Sequence, residues 1–300
     1  MPELSVVIPT LNRGKLFHDT ARQVLQQHFG DFDFWVIDQS DAEGRAANEA
    51  LLAELNDPRL RYVHVARKGL PNARNEALAR IDCRCVLFLD DDVILLHPDL
   101  LEAHVRAFGD PKVGGVTGRI VERSVRPNVA YVAAHLSPGG RTLTNLWGSE
   151  PQALLGLKGA NMSYRMEAVH QVGGFDRNYT GTALLEDTDY SWRVHQAGWT
   201  LWYEPRAELI HLSALTGGVR VEDELRGEKW RFRSTAYFVR KHRGLPGVAK
   251  FAATFGAIAL ARAARWRDPS AVTTLLAAAQ EGLAAFEAGP DEGIPAILTG

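Results

Sequence analysis

The first 120 residues alternate two kinds of apolar pattern. Leu4 to Pro9, Phe32 to Ile37, Leu60 to Val65 and Cys85 to Leu89 are short runs of β-branched and aromatic residues, with the length and make-up of buried strands. Gly14 to His28, Glu43 to Leu55, Pro71 to Ala79 and Pro98 to Phe108 carry their apolar residues at helical spacing. Strand alternating with helix predicts an α/β fold, a Rossmann-like and mostly parallel sheet flanked by helices. Such sheets take ligands at the carboxyl ends of their strands. The residues after each strand are therefore where chemistry is expected.

Pro9-Thr10-Leu11-Asn12-Arg13 follows the first strand. It has neither the glycine-rich turn of a dinucleotide site nor the Gly-Lys-Ser/Thr of a P-loop. Asp38-Gln39-Ser40-Asp41 follows the second strand and Asp90-Asp91-Asp92 the fourth, so several strand ends carry acid to one edge. Beyond residue 120 the alternation breaks up, and Asn128 to Leu155 is the least readable stretch. Order returns with a helix predicted from Glu186 to Gln196, ended by Gly198, and short strands at Trp199 to Tyr203 and Ala207 to His211. From about Leu225 the chain becomes helical and basic, Ser270 to Ala288 reads as a further helix, and Gly289 to Gly300 as a fraying tail.

Composition narrows the classes. The 300 residues are 46% apolar and 23% charged, which suits a globular protein with a sizeable core and excludes collagenous and disordered chains. Cys83 and Cys85 make neither a disulfide framework nor a four-cysteine zinc site, and read as buried thiols. Met1 to Thr10 lacks the features of a signal peptide, and no uninterrupted apolar run reaches the roughly 18 residues of a membrane span. The expected compartment is the cytoplasm.

Three carboxylates at the end of an apolar strand repel one another unless a cation neutralises them. A divalent metal, Mg²⁺ or Mn²⁺, held with help from waters and a diphosphate, answers that need; a solvated acidic loop is the structural alternative. In strand geometry Asp90 and Asp92 share a face and Asp91 points away. Glu186 and Asp187 open a helix, where acid is favoured by the dipole alone, and either carboxylate there is a candidate general base. His211, at a strand end, is either a core histidine or a metal ligand.

Taken in order, SVVIPTLNR (Ser5 to Arg13), VIDQS (Val36 to Ser40), GLPNARNEAL (Gly69 to Leu78), FLDDDV (Phe88 to Val93), GANMSYR (Gly159 to Arg165), GGFD (Gly173 to Asp176), EDTDYSWRV (Glu186 to Val194) and HLSALTGG (His211 to Gly218) resemble the family 2 glycosyltransferases. That resemblance covers about residues 4 to 220 and implies a GT-A fold and inverting transfer from a nucleotide sugar. It assigns Asp38 to the nucleobase, with Pro9 and Thr10 beside it. Arg74 goes to the base or phosphate pocket, Asp91 to the ribose, and Asp92 to the metal, with Asp90 the third member of the donor-binding triplet. His211 goes to the metal or diphosphate and Asp187 to the role of base. On the acceptor side stand Glu186, Trp147 and Trp192, although aromatic residues at such positions are more often core. Asp38 suits a pyrimidine imide, which favours a UDP- or dTDP-sugar.

The expected organisation is a catalytic domain over 1–222, with a nucleotide-binding half (1–120) and an acceptor and catalytic half (121–222), and a helical extension over 223–300. The net charge of −2 hides a segregation: Arg226 to Arg267 holds eleven Lys and Arg against Glu228 alone. This segment is read either as lying on an anionic leaflet, useful to an enzyme with a lipid-linked acceptor, or as a helical pair packed on the catalytic domain. The expected partners are a nucleotide-sugar donor and a glycan or lipid-linked acceptor, with a homodimer and peripheral contact at the inner face of the membrane as further readings and no nucleic acid. Two rival functions remain at this point. One is a haloacid-dehalogenase-like phosphatase using Asp90 and Asp92, and the other a non-catalytic sugar-nucleotide or glycan binding module.

Overall fold

The computed structural model describes residues 1–122, 132–214, 216–219 and 222–294. The opening of the Asn128 to Leu155 stretch, Leu215 of the HLSALTGG motif and the last six residues of the tail lie outside the described residues. Strands β1 (Leu4–Thr10), β2 (Phe32–Asp38), β3 (Leu60–His64) and β4 (Cys85–Leu89) alternate with helices α1 (Lys15–Leu25), α2 (Ala42–Leu55) and α3 (Leu70–Leu78), as the apolar pattern predicts. Then follow β5 (Val93–Leu95), α4 (Leu100–Ala107), β6 (Val113–Glu122), the hairpin β7 (Ala133–Leu136) and β8 (Thr142–Asn145), and β9 (Gln152–Leu154). The remainder is β10 (Asn161–Arg165), α5 (Met166–Val172), α6 (Glu186–Gln196), β11 (Thr200–His211), α7 (Glu224–Trp266) and α8 (Ser270–Glu287).

The central sheet runs β3-β2-β1-β4-β10-β6-β11-β5, with β9 also paired to β11. From β3 to β4 every pairing is parallel, and β10 enters antiparallel between β4 and β6. Every residue of β1 and β4 is buried, as strands covered on both faces must be. Cys83 and Cys85 are buried free thiols, and burial pushes Cys83 up to about 11 and Cys85 to about 12. The two strands expected at Trp199 and Ala207 are one strand, β11, whose register against β6 slips between Glu204 and Leu209, around Pro205. The irregularity interrupts the apolar alternation, so one bulged strand reads as two.

The extension is a three-helix bundle, made of the two arms of α7 and of α8. At Gly244 (φ 61°, ψ −159°) α7 folds back on itself, a left-handed conformation that glycine alone adopts cheaply. Its second arm returns along the first: Arg262 pairs with Glu228 at 3.0 Å, Trp266 Nε1 donates to Glu224 at 2.9 Å, and the Phe232 and Phe255 rings meet at 4.9 Å. α8 completes the bundle, with Arg240 over the Phe286 ring at 4.5 Å. Phe232, Tyr237, Phe251, Phe255 and Leu275 form a second core, which also takes in Tyr179 and Leu185 of the catalytic domain.

A charged seam joins the two parts. Lys241 Nζ lies 2.7 Å from carboxylate oxygens of Asp176, Asp189 and Glu292, and His242 Nε2 lies 2.7 Å from Asp189. Glu292 belongs to the stretch read as a fraying tail. Up to residue 294 it is tied down instead, with Gly174 N donating to Glu292 O and Arg177 N to Asp291 O. Seven of the eleven basic side chains (Arg231, Arg233, Arg240, Lys241, Arg243, Arg262 and Arg265) bond acids or carbonyls within the chain. By length and composition α7 contains a stretch able to cross a membrane, where the sequence reading found none. Its charges are sparse rather than absent, so it escapes a search for uninterrupted apolar runs.

Removing Lys241 leaves the buried carboxylates of Asp176 and Asp189, and the half-buried Glu292, without their shared cation. Lys241→Met is expected to cost about 3–5 kcal/mol, read from denaturant unfolding. Burial by itself raises Asp189, but the His242 hydrogen bond and the charges of Lys241 and Arg193 outweigh it and hold this carboxyl well below its usual range. A depressed carboxylate contributes its stability fully above its unfolded pKa of about 4 and loses it as pH falls below. The Lys241→Met protein should therefore show a shallower acid loss than the parent.

Candidate active site

The carboxyl ends of β1, β2 and β4 open on a cleft of about 510 Å³. Pro9, Thr10, Arg13, Gln39, Arg74, Asp90, Asp91 and Asp92 line it from the first half of the chain. Trp147, Lys158, Gly159, Glu186, Asp187 and His211 line it from the second.

The acidic triplet divides as strand alternation requires. Asp90 Oδ2 and Asp92 Oδ1 each lie 3.4 Å from His211 Nε2, and the three side chains offer ligand atoms within 4.8 Å of one another. His211 reaches them because β11 pairs it with Val93 on β5, and Glu122 Oε1 on β6 holds its other ring nitrogen at 3.3 Å. Burial works against the imidazolium, yet the hydrogen bonds to Asp92 and Glu122 and the charge of Asp90 outweigh it and lift His211 to about 9. Burial likewise opposes ionisation of Asp92, and the His211 hydrogen bond and charge, Arg13 and the Ala214 amide bring it down to about 2.

Asp91 turns the other way. Thr10 Oγ1 donates to one of its oxygens at 2.8 Å and Arg13 Nε to the other at 2.8 Å. Burial still raises it to about 6, against the pull of Arg13 and Thr10. Arg13 also donates to the carbonyls of Ala214 (3.2 Å) and Thr216 (2.7 Å), tying the loop after β11 to the first strand. Each oxygen accepts one bond, so Asp91 anchors Arg13 while still lining the cleft with acceptor capacity left.

Across the cleft, α6 opens on Glu186 and Asp187 after two residues of positive φ, Ala183 (54°) and Leu185 (72°). Non-glycine residues hold such angles only where packing enforces them. Leu185 is buried in the second core, which supplies that enforcement. Asp187 Oδ2 accepts from Gly159 N (2.9 Å) and Lys158 Nζ (3.2 Å), and Oδ1 from Thr188 N (2.7 Å). Burial favours its neutral form, but Lys158, the Gly159 amide and Arg74 prevail and lower its pKa. Glu186 behaves oppositely: burial and the Asp187 charge raise it to about 8 despite its ion pair with Arg74. The fully buried Arg74 guanidinium joins the two sides, pairing with Glu186 while its Nη2 lies 4.0 Å from Asp90. Gly159 admits this approach, since a Cβ there would sit 2.9 Å from Arg74 Nη2.

Two expected site residues stand elsewhere. Asp38 does not line the cleft: Ser40 N, Asn48 Nδ2 and Tyr62 Oη consume its oxygens at 2.8, 3.0 and 2.7 Å. Its neighbour Gln39 lines the cleft instead, its amide donating to Arg67 O at 2.6 Å. Strand alternation sends the first of the pair into the core, although the family resemblance assigns the nucleobase to the acid. Trp192 packs against the second core rather than the cleft, whereas Trp147 does line it. The sequence reading passed over Arg13, Gln39, Lys158 and Glu122 as site residues. Arg13 and Gln39 lay inside quoted motifs and Lys158 directly before one; only Glu122 carried no local signal.

Residues 5–173 match the sequence family described as Glycosyl transferase family 2. The chain belongs to that family. It is 36% identical over 154 residues to a pre-mycofactocin glycosyltransferase of Mycobacterium tuberculosis, covering 49% of this chain and 31% of that protein. It is 27% identical over 252 residues to an uncharacterised Sinorhizobium fredii protein, y4gI, covering 80% and 27%. The chain thus spans about a third or less of the length of these relatives. Among solved structures, a Pyrobaculum calidifontis mannosyltransferase in complex with GDP-Man and Mn²⁺ shares the fold, with a TM-score of 0.58, 17% identity and coverage of 94% and 87%. The fold is thus that of the GT-A glycosyltransferases.

The convergence of Asp90, Asp92 and His211 predicts Mn²⁺ binding by the free protein. Asp92→Ala should weaken it at least tenfold in titration calorimetry (~1.4 kcal/mol), with an unchanged circular dichroism spectrum.

Proposed function

We propose that the protein transfers a glycosyl group from a nucleoside-diphosphate donor to an acceptor hydroxyl by single displacement, with inversion at the anomeric carbon. The observation that carries this reading is a single cleft holding a cation-binding triad on one wall and a rigidly presented carboxylate, Asp187, on the other. The donor set of Asp90, Asp92 and His211 fits a divalent ion whose remaining positions go to water and phosphate oxygens. Carboxylates suit Mg²⁺ and Mn²⁺ alike, and the imidazole favours Mn²⁺. When bound, the ion neutralises charge on the departing diphosphate.

The chain's own residues supply the rest. Arg74 sits where a guanidinium holds the donor against the triad side and keeps Glu186 from repelling it. The acceptor oxygen bonds to the anomeric carbon as the bond from that carbon to the diphosphate oxygen breaks, and the hydroxyl proton passes to Asp187. Lys158 and the Gly159 amide keep Asp187 ionised and therefore able to accept. They also make it a weak base, so the proton moves late, once the forming bond has made the hydroxyl acidic. Trp147 lines the cleft where an aromatic face can stack on a sugar.

The preference for a uracil or thymine base rested on Asp38 and is withdrawn with that carboxylate sealed. We place the acceptor hydroxyl on a glycan or a lipid-linked glycan. The phosphatase reading has no observation in its favour: Asp90 follows the fourth strand, and Arg74 and Asp187 are without a role in it. A binding module that never turns over leaves the pairing of half-buried Lys158 with buried Asp187 unexplained.

Asp187→Asn keeps the hydrogen-bonding shape while removing proton affinity. Sugar transfer should fall at least a thousandfold (~4 kcal/mol), while calorimetric binding of the nucleotide sugar with Mn²⁺ stays within about threefold (~0.7 kcal/mol). Unchanged turnover would remove Asp187 from the role of base.

A further inference from the structure

The second arm of α7, from Leu245 to Trp266, belongs to a helix with a stretch apolar enough to cross a membrane, yet only 22% of that stretch is buried. One side of the arm, with Phe251 and Phe255, faces the bundle core. The other carries Leu245 (70% exposed), Ala249, Ala253, Ala257 and Leu260 (63% exposed) at four- and three-residue spacing, with Leu276 of α8 (41% exposed) on the same bundle. An apolar helix face of this length left in water marks a contact with something else. Charge says what. No Asp or Glu occurs between Lys229 and Arg267. Lys250 has no acidic partner among the described residues, nor does Arg267, while Arg265, 62% exposed, pairs with Glu224 on the first arm.

A second copy of the chain fits poorly, because two such faces meeting about a twofold axis would set cations against cations. An apolar stripe flanked by unopposed cations complements an anionic leaflet, whose headgroups take the charge while the leucines enter the acyl boundary. We propose that the outer face of this arm is a docking surface for an anionic lipid membrane, on which the bundle lies without crossing it. The seam at Lys241 ties the first arm of α7 to α6, and the second arm is packed along the first, so the docking face is fixed with respect to the cleft. A lipid-linked acceptor is the substrate class this implies; that step rests on the transfer reading, whereas the docking does not.

The test is flotation of the full chain with vesicles of phosphatidylcholine alone and of phosphatidylcholine mixed with phosphatidylglycerol. Binding is expected to the mixed vesicles only, with release at high salt. Leu260→Glu and Lys250→Glu, both at exposed positions, should each lower partitioning on the order of tenfold at unchanged melting temperature. Asp187→Asn should float like the parent, which separates failure of docking from failure of the catalytic assignment. Absence of flotation, equal binding to both vesicle types, or indifference to Leu260→Glu would each overturn the proposal. So would a dimer in sedimentation analysis that Leu260→Glu dissolves without any flotation, since the face would then belong to a second copy.

Discussion

The arrangement of this protein depends on neutralising carboxylates crowded at the carboxyl end of one strand. Asp90, Asp91 and Asp92 leave β4 together, and no cation lies near them in sequence. Arg13 comes from the loop after β1, Arg74 from α3 and His211 from the end of β11. The sheet order is what brings these three to one place: β1 and β4 are neighbours, and β11 carries His211 to β5, immediately beyond the triplet. Like charges at such spacing are stable only with their partners in position. The wall of the cleft that carries the acidic triplet is therefore completed by β11, the last strand of the sheet in chain order.

The opposite wall is supported in another way. Glu186 and Asp187 follow a turn with positive φ at two non-glycine residues, a conformation of order 1–3 kcal/mol each above the ordinary ones. The energy to hold it comes from the second core, where Leu185 and Tyr179 pack among residues of α7 and α8. Asp189, one helical step beyond Asp187, is held by Lys241 and His242 of the same bundle. The C-terminal helices are thus structurally part of the site although none of their side chains lines the cleft.

Much of this was legible in the sequence where one residue type at one position does one job. The four early strands, the divergence of Asp91 from Asp90 and Asp92, and the helix opening on Glu186 follow from local pattern. What was not legible depended on direction or on distance in the chain. Asp38 and Gln39 differ only in which way a strand end points them, and Asp38 is satisfied by Asn48 and Tyr62 from other elements. Trp192 carries either reading, more often core, and packing against the second core decides it. The basic segment looked like one charged surface because sequence shows charges without partners. Folding pairs most of them inside the molecule and leaves a smaller, more apolar face outside.

The tail past α8 gives the seam a temporal order. Asp176 and Asp189 reach Lys241 once the first arm of α7 has been made, but Glu292 and Asp291 follow only after both remaining helices. On a ribosome the catalytic sheet is complete while the anchor for α6 is still missing, and the final carboxylate arrives last to close the ring around Lys241. A chain ended before α7 lacks the Lys241 and His242 partners that hold Asp189 of α6. The ring of carboxylates around Lys241 is in this way complete only when the chain has been made through at least residue 292.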